Sequence, residues 1–314
     1  MIRDLSLIEA EFRWVGTKSL NCLPTSLRVA AGALTNCADG IFGGLIGPVS
    51  PLADRNALAQ LCWNYIETVY GADCVSPLWS NQTITSARDL SALVRHRLGG
   101  ATIIAVKSRD FEGYPYWHGS EDPKESHTVY IRTLENGPAD VIEFLDGALS
   151  NRKTVFHVAT CSNLSGYIRL PCEVEFYDVN ILIKRGQKLG QELIQRKRNF
   201  ALQAISQALV SLTEPELAPN IHTRDDIVNY LTVSGRPAML RMLELALSDG
   251  NLWPAATAAT VTAPINSGHV VSDRIAVLLL RKLSSDREHQ SFASLSQMLS
   301  QHLTVAYNNL HRMF

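Results

Sequence analysis

The sequence predicts an α+β domain followed by an all-helical part, with the change of character near residue 185. Three observations carry this reading. Between Ala101 and Ile183, short β-branched runs alternate with turns containing Gly and Pro. From Cys22 to Leu98, apolar residues recur at helical spacing. From Leu189 onward the same spacing returns and no further β-rich run follows. The expected domains are residues 1–185, carrying any chemistry, and residues 186–314, a helical domain.

The elements are expected in this order. A helix opens near Cys22 and runs to about Leu34 or Asn36, because Pro24 fits a helix only in its first turn. Residues 36–51 hold Gly40, Gly43, Gly44 and Gly47, a loop able to pass close to a neighbour. Asp54 caps a helix through Val69, and Ser86 caps another that ends at Gly99-Gly100. Strands follow at 102–106, 127–132, 141–147, 154–158 and 173–183, the second and third joined across Asn136-Gly137. Helices then cover 189–212, 223–232, 236–247, 272–283 and 292–309. Thr223 with Asp226 forms a capping-box variant, and the Ala/Thr-rich stretch 255–265 reads equally as helix or loop.

Composition excludes several classes of function. The chain has 314 residues, 46% of them hydrophobic and 19% charged, which suits a packed core and not a disordered chain. A formal net charge of -1 provides no field for nucleic acid, and Arg196-Lys197-Arg198 reads as the wet face of a helix. No apolar run reaches the roughly 18 residues of a membrane span. Met1 to Glu11 lacks the apolar heart of a signal peptide, so a cytoplasmic protein is expected. The six cysteines form no C-x-x-C pair and are read as reduced thiols, with no disulfide framework. The histidines show no metal-ligand spacing, so neither metal nor cofactor is expected.

One arrangement carries chemistry. Cys22 at a helix N-terminus sits where unpaired N–H groups and the helix dipole favour a thiolate. A thiol nucleophile needs a base, and the base needs a group to fix its tautomer. His127 lies nine residues before the Asn-Gly turn and Asp146 nine residues after it, which predicts that they stand close to opposite at the open end of a hairpin. Cys22, His127 and Asp146 are therefore the expected nucleophile, base and orienter. His118 and Trp117, on the loop before the histidine strand, are candidates to line a substrate pocket.

A cysteine leading into a helix, a histidine-headed strand, a Gly turn and a strand ending in Asp resemble the papain-like cysteine peptidase fold in its compact bacterial form. Within that fold, Phe42-Gly43-Gly44 after the Cys helix and the helical C-terminal half make the chain most similar to the N-terminal domain of the butirosin biosynthesis acyltransferase family. The resemblance spans residues 15 to about 150. It implies acyl transfer through a Cys22 thioester, from the phosphopantetheine arm of an acyl carrier protein to an amine acceptor, without a cofactor. The backbone N–H of Cys22 would help hold the oxyanion. Papain-like peptidases carry a glutamine six residues before the cysteine, where this chain has Gly16; Asn21 or Ser19 are the candidate substitutes. That departure weighs against peptide hydrolysis more than against thioester chemistry, whose leaving group departs more readily. A cysteine peptidase or amidase is the alternative, and a silent domain whose helical half binds a partner is a third. The helical half could also serve as a homodimer interface.

Overall fold

The computed structural model describes residues 22–34, 40–46, 55–75, 81–97, 101–110, 126–133, 141–146, 155–160, 168–247, 249–282 and 289–314. The chain is α+β, and its contacts divide it into two units: Met1–Ala38 with Gly71–Lys188, and Asp39–Tyr70 with Leu189–Phe314. The sequence reading cuts the chain once, after residue 185. The division by contacts falls within a few residues of that point and also assigns Asp39–Tyr70 to the helical unit.

The first unit is built on one antiparallel sheet of six strands in the order β1-β6-β2-β3-β4-β5. The strands are β1 Gln82–Ile84, β2 Ala101–Lys107, β3 Ser126–Thr133, β4 Val141–Asp146, β5 Val155–Thr160 and β6 Cys172–Tyr177. Its helices are α1 Cys22–Leu34, α3 Ala87–Arg97 and α4 Asn180–Leu189, with α2 (Arg55–Tyr70) falling in the second unit. β2 and β3 are buried along almost their whole length, as expected of central strands with both faces covered. Leu90 and Val94 of α3 pack with Ile104, Val106, Val129, Ile131, Val174 and Phe176 into one core. Ser86 accepts a hydrogen bond from the Asp89 N–H at 3.2 Å, capping α3.

One expected strand is too long. The run 173–183 divides into β6 and the start of α4, because Asp178 turns the chain. Its Oδ1 accepts from the Asn180 backbone N–H at 2.9 Å and from the Asn180 side chain at 2.7 Å, an Asx turn that opens a helix.

The second unit is helical: α2 Arg55–Tyr70, α5 Gln191–Ser211, α6 Arg224–Asn229, a π-helical turn Tyr230–Ser234, α7 Arg236–Leu247, α8 Ala255–Lys282 and α9 His289–His311. Ile205, Leu240, Leu243, Leu299, Leu303 and Tyr307 belong to its core. The Ala/Thr-rich stretch is helix, the first half of α8, so the helix expected at 272–283 starts some 17 residues earlier, at Ala255. Its small residues read ambiguously because they lack the large apolar side chains that mark a helical face.

Segment 40–46 threads into this helical core. The indole of Trp253 donates to the Gly43 carbonyl at 2.6 Å, and the hydroxyl of Tyr307 donates to the Ile46 carbonyl at 3.0 Å. Lys197, expected on a wet helix face, is instead buried against Asp249 and donates to the Gly40 carbonyl. Its neighbours Arg196 and Arg198 keep part of their surface in water.

Candidate active site

Cys22 is the first residue of α1, with Pro24 in the first turn, where a missing N–H breaks no intrahelical bond. One turn on, the buried Ser26 donates its hydroxyl proton to the backbone carbonyl of Thr128 at 3.1 Å. Thr128 follows His127 on β3. The helix that begins with Cys22 is therefore tied to the strand beside the candidate base.

His127 is the second residue of β3 and pairs with Val106 of β2. It is 1% exposed. Strand alternation puts its position on the face of Val129 and Ile131, the face that α3 covers. The buried residues of α1 (Leu23, Leu27, Ala30 and Ala31) do not belong to that cluster.

The β3–β4 ladder pairs Tyr130 with Leu145 and Thr133 with Ile142. One further step sets Asp146, the last residue of β4, across from Val129 and not from His127. The sequence reading put the two close to opposite, and the ladder offsets them by two residues. A two-residue shift preserves the face, because side chains alternate with period two. Positions 127 and 146 are therefore diagonal neighbours on one face, about 7 Å apart along an antiparallel pair.

The side chains of Cys22 and Asp146 lie outside the described residues. So do Ser19, Asn21, Trp117 and His118 entirely, together with Gly16. Sequence reasoning missed Ser26 and Thr128, the pair that fixes α1 on β3. A serine at position i+4 from a helix-opening cysteine was the only signal. It also missed Arg28 and Arg132, cations buried on that same helix and strand.

Cys172 and Cys74 make poor nucleophiles. Burial, with the Asp110 charge adding to it, pushes the Cys172 thiol up to about 11. Burial also raises Cys74, against a partial opposing effect of Arg185. Neither supplies appreciable thiolate near neutral pH. Among the described residues no group of three or more His, Cys, Asp or Glu could hold a metal ion, and no helix is long and apolar enough to cross a membrane.

No family model matches this chain, and no curated protein matches it.

Proposed function

We propose that the first unit is a papain-like cysteine acyltransferase that takes an acyl group from the phosphopantetheine thioester of a carrier protein and passes it to an amine. The observation that carries this is the Ser26–Thr128 bond, which holds α1, one turn past Cys22, on the strand residue next to His127. The shared face of positions 127 and 146 supports a carboxylate steadying the imidazole.

In the first half-reaction, His127 takes the Cys22 proton and the sulfur attacks the thioester carbonyl. Collapse of the tetrahedral intermediate expels the pantetheine thiol, which leaves with the proton from His127. In the second, the amine attacks the Cys22 thioester and yields a proton to His127. The amide bond forms, the Cys22–acyl bond breaks, and the sulfur regains its proton. A thioester is already activated, so ATP is not consumed. The backbone N–H groups at the start of α1 are the available oxyanion donors.

The burial of His127 to 1% favours a second reading, a silent domain in which this histidine is a core residue. Catalysis requires the first turn of α1 to meet His127 at the mouth of β3, because α3 covers the rest of that face.

Intact-mass measurement after mixing the full chain with an acyl-pantetheine probe separates the readings. An acyl adduct that is absent in Cys22→Ala, about 100-fold slower to form in His127→Ala and discharged by an added amine supports transfer. Peptide cleavage in place of transfer supports a peptidase. A chain that never forms the adduct supports the silent domain.

A further inference from the structure

We draw no further inference here: the strongest candidate, the groove of about 610 Å³ between α9 and the loop that follows α5, walled by Leu212, Pro215 and Val305 over the Arg236–Ser296–Glu216 cluster, carries nothing, because those three polar side chains already bond to one another and nothing in the structure shows what covers it.

Discussion

Lys197 Nζ lies 2.8 Å from Asp249 Oδ2 inside the helical unit, with 5% and 1% of the two side chains exposed. The lysine also donates to the Gly40 carbonyl, and the aspartate accepts from the Asn251 N–H at 3.1 Å. The pair thus joins α5, the turn before α8 and segment 40–46. Removing either partner leaves an uncompensated charge in a dry site, at a cost of about 3–5 kcal/mol. Lys197→Met and Asp249→Leu should each lower the urea midpoint sharply. The double variant should recover part of the loss, because it strands no charge and forfeits only the Gly40 and Asn251 bonds. A double variant as unstable as the sum of the two singles would refute this account of the pair.

Gly43 and Gly44 are held by the same knot. A Cβ at Gly43 would stand 2.1 Å from Asp249 Oδ2, and one at Gly44 would stand 2.6 Å from the Lys197 backbone carbonyl oxygen. Neither neighbour gives way freely, because the Asp249 Cβ is itself 2.5 Å from the carbon added at Gly43 and its carboxylate is held by Lys197. Gly43→Ala and Gly44→Ala should therefore each be destabilising, with overpacking of this kind worth about 1–3 kcal/mol. Gly250→Ala, with nothing within 4 Å of its added carbon, is the control expected to be neutral or slightly stabilising. Equal midpoints for Gly44→Ala and Gly250→Ala would contradict the close approach.

The sequence made this knot only half legible. Clustered glycines announced a segment able to pass close to something, but the lysine it passes lies more than 150 residues away, in a triplet whose charges suggested water. A single charged residue reports its burial only through its partner, and Asp249 carries no local signal. The hairpin shows the same limit. Counting nine residues either way from Asn136-Gly137 leaves positions 127 and 146 on one face whatever the even shift, because side chains alternate with period two. Counting outward from Asn136-Gly137 places the two only to within two residues, since it assumes that the turn is centred there. The ladder from Thr133–Ile142 onward is centred one residue further on. Helices with strong caps or large apolar faces, such as α3 and α7, were legible almost to the residue. The small-residue half of α8 was not.

Ser26 should act on rate as well as on stability. Ser26→Ala removes the hydrogen bond to the Thr128 carbonyl, worth about 1 kcal/mol. If that bond positions Cys22 beside His127, acyl-adduct formation should slow several-fold at saturating probe. Ser91→Ala, at another buried serine on α3, should change the urea midpoint without changing that rate. Identical rates for the two variants would make Ser26 merely structural.

Cys172 supplies a signature in alkali. Its thiol is raised to about 11 by burial, with Asp110 adding to the shift, while an unfolded thiol titrates near 8.5. The folded chain therefore holds this proton after the unfolded chain has lost it. The associated stability is complete below about pH 8 and declines as pH climbs toward 11. Iodoacetamide should leave Cys172 unmodified at pH 8.5 in the native protein and modify it in urea. Cys172→Ala should flatten the alkaline loss of stability, measured as urea midpoints from pH 8 to 10.5. Rapid native alkylation at pH 8.5 would show that the thiol is not buried as described.

The opposite slope belongs to the start of α6. Thr223 Oγ1 accepts from the Asp226 N–H at 3.2 Å, and Asp226 Oδ2 accepts from the Thr223 N–H at 2.7 Å and the His222 N–H at 2.8 Å. Partial burial pushes the Asp226 carboxyl up, but these backbone donors outweigh it and hold the group below its ordinary value. A depressed carboxylate stabilises the fold above its unfolded pKa of about 3.9 and loses that contribution as pH falls through the folded value. Asp226→Asn should therefore cost stability at pH 7 and progressively less below pH 4. Thr223→Ala removes the other half of the box, an uncharged acceptor, and should cost about 1 kcal/mol at both pH values. Urea midpoints of the two variants at pH 7 and pH 3 decide this. A pH-independent deficit in Asp226→Asn would mean that the carboxylate caps this helix only by its shape.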